Sequence, residues 1–313
     1  MGPAASPTLA RRAASGLESQ RIIFLDHVTP TWKARRARAR ALAAEHDHAA
    51  DLLEFYASVL DLQEPLYDKV GRATLPAGLV ATKGEDGPRL RLERFQGALR
   101  DREFTVFVNR VARFATDVLA AVAKRVEAAD IGTRADLLQA FLARRSLDEA
   151  ATSLACHTAP LEFFPKAFMQ PVAEALLAAS GPGPLALCAL DGAEASCPAC
   201  GWPPLLSLLR DEPEVRGQRS LVCSLCSSEW PFPRTRCPGC GETRSDRLQC
   251  HATDFWPHVR IEECGTCHTY LKTIDLRKDG RAVPVVDELA SVELDLWAVG
   301  EGLTKGQRNL LGL

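Results

Sequence analysis

The sequence predicts a mainly α-helical N-terminal domain, followed by two small metal-binding β ribbons in tandem and a C-terminal helix. Two observations predict this order. Apolar residues recur at helical spacing from about residue 31 to residue 180, and four Cys-x-x-Cys pairs then lie within the 71 residues from 197 to 267. A length of 313 residues, with 46% hydrophobic and 25% charged, is typical of a globular protein of about two domains.

Composition sets the predicted boundaries. The first twenty residues are rich in Ala, Pro, Ser and Gly, and Gly181-Pro-Gly-Pro184 interrupts the helical pattern. We therefore predict a flexible tail over 1–20, a helical domain over 21–184, a first metal ribbon over 185–235, a second metal ribbon over 236–283, and a C-terminal helix and tail over 284–313.

In the helical domain, periodicity predicts helices over 32–45, 48–63, 103–128, 134–144, 147–156 and 165–179. The strongest is 103–128, where Phe104, Val111 and Val126 share one apolar face, so we expect a central core helix. Gly132 and Thr133 are expected to end that helix and to cap the next one.

Short β-prone segments at Ser220–Cys223, Val259–Glu262 and Tyr270–Leu276 predict the strands of the ribbons. After Pro284, an apolar stripe from Val286 to Trp297 predicts one C-terminal helix. A ribbon of about 35 residues is too small to be held together by its own core, so each ribbon should depend on its ion.

The first predicted helix carries the one basic cluster of the sequence, at 33–40. In a helix these charges are spread over more than one face. We interpret the run as solvated helix surface, with docking of a partner as the second interpretation and nucleic-acid binding as the least favoured.

The four cysteine pairs are Cys197/Cys200, Cys223/Cys226, Cys237/Cys240 and Cys264/Cys267. Two cysteines separated by two residues fit a tight turn that aims both sulfurs at one point. The first and third pairs stand in Cys-Pro-x-Cys-Gly, where proline fixes φ and glycine tolerates a positive φ. This is the knuckle of rubredoxin-like and zinc-ribbon modules, and eight thiols complete two tetrahedral four-sulfur sites.

The spacing of the pairs indicates an internal duplication. The second pair follows the first after 22 residues and the fourth follows the third after 23, whereas 10 residues separate Cys226 from Cys237. We therefore expect the first two pairs to hold one ion and the last two to hold the other. An interleaved, cross-braced grouping stays open.

Other roles for the cysteines are less favoured. Residues 1–20 contain Arg11, Arg12 and Glu18 and have no long apolar run, so they do not suggest a secretory signal or a disulfide framework. Redox catalysis requires one motif opening a helix rather than four regular copies. We expect three unpaired cysteines to be small buried residues and three nearby histidines to lie on the surface or behind the ligands, namely Cys156, Cys188, Cys250, His251, His258 and His268.

The sequence gives no positive sign of an enzyme. Four-thiolate sites have no open position, and neither a His-Glu-x-x-His motif nor a Gly-rich phosphate loop occurs. Residues 197–267 carry eight Arg and no Lys against nine acidic residues, whereas binding to phosphates favours a positive excess. No stretch of about 20 apolar residues occurs, so we expect no membrane span.

The sequence motifs around the cysteines resemble those of a known family. They are Cys-Pro-Ala-Cys-Gly at 197–201, Cys-Ser-Leu-Cys-Ser-Ser-Glu-Trp at 223–230, Cys-Pro-Gly-Cys-Gly at 237–241, and Cys-Gly-Thr-Cys-His-Thr-Tyr-Leu-Lys at 264–272. With the helical domain before them and Asp287-Glu-Leu-Ala-Ser291 after them, they resemble the formate dehydrogenase accessory proteins, the FdhE family. The resemblance is specific over 197–297 and weaker over 31–180.

This resemblance implies a cytoplasmic, non-enzymatic factor that binds the catalytic subunit of a formate dehydrogenase and is required for active enzyme. It implies a helical domain joined to two rubredoxin-like ribbons, with iron held by the eight cysteines Cys197, Cys200, Cys223, Cys226, Cys237, Cys240, Cys264 and Cys267. Zinc is the alternative, because four thiolates accept either metal. A nucleic-acid-binding zinc ribbon and a rubredoxin-like electron-transfer protein are the alternative functions. The partner-binding residues and the oligomeric state are not predicted.

Overall fold

The computed structural model describes residues 31–74, 79, 90–94, 98–180, 194–213 and 215–313. The predicted tail over 1–20, the interruption at 181–184 and Cys188 lie outside the described residues. The described part contains a helical half followed by one sheet and two terminal helices, as the sequence predicts for the fold class.

The described part of the helical half contains seven α-helices. They are α1 (Trp32–Glu45), α2 (Ala50–Gly71), α3 (Ala98–Val111), α4 (Asp117–Ala128), α5 (Ile131–Leu142), α6 (Asp148–Ser153) and α7 (Thr158–Ala179). Short 3₁₀ turns lie at Asp47–Ala49 and Leu92–Arg94. Helix α7 is central, because it packs against α2, α3, α4, α5 and α6.

The single long helix expected over 103–128 is wrong, because the chain turns back within it. Helix α3 ends at Val111, and α4 begins at Asp117 after Thr116 in extended geometry. The Nδ2 of Asn109 donates to Glu127 at 2.6 Å, which joins α3 to the far end of α4. The apolar stripe continues across the turn, because Phe104 and Val111 of α3 and Val126 of α4 are all buried.

Other helix bounds also differ from the predicted ones. The cap of α5 is Asp130 rather than Thr133: its Oδ1 accepts the Thr133 N–H at 2.9 Å. Helix α2 continues through Pro65, and α7 contains Pro165 and Pro171. An internal proline costs about 3 kcal/mol, and the packing of these two long helices against each other offsets that cost.

The two predicted ribbons form one continuous sheet. Its strands are β1 (Pro204–Arg210), β2 (Gln218–Cys223), β3 (Glu229–Pro231), β4 (Leu248–Ala252), β5 (Val259–Cys264), β6 (Thr269–Asp275) and the short β7 (Thr304–Lys305). The order is β3-β2-β1-β6-β5-β4, with β7 beside β6. Each ribbon is antiparallel, and the parallel pair β1 and β6 joins them, with Leu208 beside Ile274.

The predicted C-terminal helix is two helices, α8 (Pro284–Ala290) and α9 (Val292–Gly300). The chain bends at Ser291, which is fully buried and whose hydroxyl donates to the Asp287 carbonyl at 2.8 Å. Both helices cover one face of the sheet. Lys272 of β6 is completely buried there, with its Nζ 2.6 Å from Asp295 and 3.1 Å from Glu288.

The basic run of α1 is not solvated surface, and that interpretation is wrong for its central arginines. Arg35 is 3% exposed, and its Nη1 and Nη2 donate to both oxygens of Glu174 in α7 at 3.0 and 3.1 Å. Arg38 pairs with the buried Asp287 of α8. Arg36 pairs with Glu64 of α2 at 2.6 Å. The run therefore holds α1 to α2, α7 and α8.

Candidate metal centres

The four cysteine pairs lie in turns of similar design. In three of them the residue after the second cysteine donates its N–H to the carbonyl of the first cysteine: Gly201 to Cys197 at 2.7 Å, Gly241 to Cys237 at 3.0 Å, and His268 to Cys264 at 2.8 Å. Each closed turn presents its two sulfurs on the same side.

A positive φ follows every pair. Gly201 and Gly241 have φ of 77° and 80°, as the two glycine-containing knuckles predict. The same position holds Ser227 and His268 in the other two turns, with φ of 54° and 55°. A residue with a Cβ costs about 1–2 kcal/mol in this conformation, so the folded turns contain strain that the sequence does not reveal.

The eight sulfurs form two groups. The first comprises Cys197, Cys200, Cys223 and Cys226, and the second Cys237, Cys240, Cys264 and Cys267; within each group the sulfurs lie within 4.8 Å of one another. This is the sequential grouping, and it excludes the interleaved one.

The sulfur positions fit a tetrahedral ion. A metal–sulfur bond of about 2.3 Å gives sulfur–sulfur edges of about 3.8 Å in a tetrahedron. In the first group Cys197 Sγ lies 3.6 Å from Cys226 Sγ, and in the second Cys237 Sγ lies 3.8 Å from Cys267 Sγ. These distances are far longer than a disulfide bond of about 2.05 Å. The donor set suits zinc and iron equally.

The first group, which we call the inner centre, is sealed from solvent. Its four cysteines are between 1% and 8% exposed. Burial and the neighbouring thiols raise the pKa of Cys200 and Cys223. Burial opposes ionisation of Cys197 too, but hydrogen bonds from its neighbours bring its pKa well below the ordinary value. One buried thiolate thus suppresses ionisation of the others, and a bound cation would relieve this repulsion.

The second group, which we call the outer centre, meets solvent. Cys237 and Cys264 are buried, whereas Cys267 is half-buried and Cys240 is exposed. The Gly239 N–H points at Cys237 Sγ from 3.3 Å and supports a negative sulfur. The two centres therefore have the same donor atoms and very different access to water, a difference that the spacing of the cysteines does not predict.

One hydroxyl at each centre contacts the sulfurs, and the cysteine motifs alone do not predict it. Ser228 Oγ lies 3.0 Å from Cys197 Sγ and 3.1 Å from Cys226 Sγ. Thr269 Oγ1 lies 3.0 Å from Cys267 Sγ. Each hydroxyl is two residues after the last cysteine of its group, and this shared offset was the available signal.

The inner centre is fixed to the helical half. Ser227, directly after Cys226, donates its hydroxyl to Glu174 at 2.7 Å, and Glu174 also binds Arg35 of α1. The Trp202 ring lies 4.7 Å from that of Phe141 in α5. Residues from three helices and two knuckles therefore form one packed unit.

The remaining cysteines and histidines are distributed differently from the prediction. Cys250 is exposed on β4, so the expectation of a buried position is wrong for it, whereas Cys156 is half-buried and packs against the core; neither belongs to a group of four sulfurs. His268 is exposed, and His251 Nε2 lies 2.7 Å from Glu263. His258 is buried, with Nε2 2.8 Å from Asp287, so the expectation of a surface position is wrong for it.

No helix in the described part of the chain is long and apolar enough to cross a membrane. The predicted domain boundaries stay predictions.

Comparison with known proteins agrees with this architecture. The sequence model "FdhE, central domain" matches residues 196–234, and "FdhE, C-terminal domain" matches residues 235–311. The two matches meet between the centres, one containing each group of four cysteines.

Relatives extend the match. The chain is 42% identical to "Protein FdhE homolog" of Aquifex aeolicus over 116 residues, which span 37% of this chain but only 41% of that protein. It is 27% identical to "Protein FdhE homolog" of Glaesserella parasuis over 290 residues, which cover 88% of this chain and 87% of the other.

A solved structure has the same fold. The crystal structure of the FdhE protein from Pseudomonas aeruginosa matches with a TM-score of 0.67 and 24% identity, covering 91% of this chain and 96% of that one. The resemblance inferred from the cysteine motifs is confirmed: residues 196–311 match the two FdhE domain models, and the similarity to an FdhE homolog extends over most of the chain.

Proposed function

We propose that this protein is an accessory factor that binds the catalytic subunit of a formate dehydrogenase and is required for active enzyme. One observation carries the proposal: the two four-cysteine centres lie in the segments that match the central and C-terminal FdhE domains. The link to formate dehydrogenase comes from the family resemblance. A cytoplasmic location and a non-enzymatic role belong to the same proposal.

The chemistry of the centres supports a role other than hydrolysis. Each group offers four sulfurs to one ion, which leaves no coordination position for a water or a substrate. A metal bound at the inner centre would hold the knuckles together next to the helical half. We propose all eight cysteines as the ligands, with iron or zinc as the ion.

Capture of the partner tests the proposal. The purified, metal-loaded full chain is immobilised and exposed to an isolated formate dehydrogenase catalytic subunit, in parallel with an unrelated two-zinc protein. We expect retention by this chain alone. Recovery of RNA or DNA from a lysate, with no retention of the purified subunit under reducing or oxidising conditions, would contradict the proposal.

Electron transfer is a second candidate, favoured by the exposure of Cys240 and the half-exposure of Cys267 at the outer centre. An iron–thiolate centre near the surface can exchange electrons with a partner. Anaerobic purification, elemental analysis and a visible spectrum test it: we expect iron and an absorption that bleaches on reduction. A colourless protein loaded with zinc in cells would eliminate this candidate.

A further inference from the structure

A cleft of about 1100 Å³ separates the helical half from the second ribbon. One wall is the end of α5 and the loop after it, the other wall is the linker that precedes the outer centre, and the floor is the face of the sheet formed by β4, β5 and β6. Cys237 and Cys264 line the same cleft. Any molecule that fills the cleft therefore lies beside the outer centre.

Uncompensated positive charge lies on both walls. Arg144 and Arg145 line the helical wall, and Arg234 and Arg236 line the linker wall. Within the described residues, none of these four arginines has a carboxylate within salt-bridge distance. Arg145 and Arg234 are exposed to solvent.

Three of the five carboxylates that line the cleft have partners within the protein. Asp148 accepts hydrogen bonds from the hydroxyls of Ser146 and Thr158, both at 2.6 Å. Glu262 pairs with Arg219 at 2.7 Å and with Arg260. Among the described residues, the four guanidinium groups of the two walls outnumber Glu162 and Glu194, and this excess suits carboxylates.

The rim of the cleft offers backbone groups as well. Strand β4 is the last strand of the sheet and pairs only with β5 among the described strands. Its consecutive residues Leu248, Gln249 and Cys250 all line the cleft. Because successive side chains point to opposite faces, the cleft reaches the free edge of the strand. An unpaired edge can accept one further strand from another chain.

We propose that this cleft binds an extended, acidic segment of the partner polypeptide, which adds to the edge of β4 and places its carboxylates between the arginines of the two walls. The proposal rests on the proposed function, and it identifies where the catalytic subunit would dock. A polypeptide fits better than nucleic acid, because the free edge of β4 offers backbone N–H and C=O groups that another strand can pair.

Charge reversal on both walls tests the proposal. The variant Arg145→Glu/Arg234→Glu changes one exposed residue of each wall, and Arg110→Glu/Lys124→Glu makes the same charge change on exposed helix surface outside the cleft. Affinity for the catalytic subunit is measured at two salt concentrations. We expect the cleft variant to bind about tenfold more weakly or worse, and the control to bind as the unmodified chain does.

A second readout does not depend on the variants. Release of zinc from the loaded full chain to a chelator is followed with and without saturating catalytic subunit. We expect the subunit to slow the release of zinc from the outer centre, because a segment in the cleft covers that centre. If the cleft variant loses affinity but the subunit does not slow zinc release from the unmodified chain, the arginines act outside the cleft and the proposal is overturned.

The outcomes separate the two proposals. Equal binding of both variants, with the unmodified chain still retaining the subunit, overturns the cleft and leaves the proposed function intact. No binding by the unmodified chain overturns both. Binding of a 20-nucleotide single strand that is lost in the cleft variant, with no binding of the subunit, would assign the cleft to nucleic acid and overturn the acidic segment.

Discussion

Removal of the Glu174 carboxylate should destabilise the whole protein, because this one group connects α1, α7 and the inner centre. Glu174→Ala leaves the guanidinium of Arg35, which is 3% exposed, without its bidentate partner. The variant also removes the acceptor of the Ser227 hydroxyl. An unpaired buried charge costs about 3–5 kcal/mol, and we expect a loss of that size in the free energy of unfolding.

The assay is equilibrium unfolding in urea with excess metal, followed by tryptophan fluorescence and far-UV circular dichroism. The matched control is Arg36→Ala, also in α1, which breaks more exposed pairs with Asp61 and Glu64 of α2 and should cost less than about 1 kcal/mol. The double variant Arg35→Met/Glu174→Leu removes both charges, so it should be more stable than Glu174→Ala. A cost below about 1 kcal/mol for Glu174→Ala, or a double variant no more stable than Glu174→Ala, would refute the reasoning.

Three further outcomes are expected. A chelator should remove zinc from the outer centre well before it removes zinc from the inner centre, because Cys240 is exposed whereas the inner cysteines are buried. Cys240→Ser should abolish only this fast phase of release. Simultaneous release of both ions would contradict the order. His268→Gly should stabilise the protein by about 0.5–1 kcal/mol and Gly241→Ala should destabilise it, since both positions have positive φ; equal signs in thermal unfolding would exclude backbone strain as the cause. Burial lowers the pKa of Lys166 from 10.5 to about 8, so the free-energy cost of burying its ammonium is full below pH 8 and declines as the pH rises. Between pH 8 and pH 10, the free energy of unfolding of the unmodified protein should therefore rise by about 2 kcal/mol relative to that of Lys166→Met. A difference that does not change with pH would contradict burial of the ammonium.

The cysteine spacing predicts the two groups of sulfurs because the constraint is local. A two-residue gap fixes each turn, and a repeat of 22 and 23 residues brings successive turns together. The exposure of each group depends on what packs over it, and the helices that seal the inner centre are distant in sequence. The motif therefore cannot predict that Cys197 is buried and Cys240 is exposed.

The misassigned helices have similar causes. Phe104, Val111 and Val126 keep one helical period across the turn, so periodicity alone cannot distinguish one long helix from two packed side by side. Arg35 looks like a surface residue because its partner, Glu174, is 139 residues away. Both errors arise where tertiary contacts decide the outcome of a locally ambiguous pattern.

The parallel pairing of β1 with β6 makes the duplicated ribbons inseparable. A chain ending at residue 235 would contain every ligand of the inner centre, yet β1 would lose its neighbour on one side and expose a free edge made largely of leucine. Such an edge invites pairing between copies. During synthesis, the first ribbon must accordingly wait for about forty more residues, until β6 is complete, before its sheet is protected from aggregation.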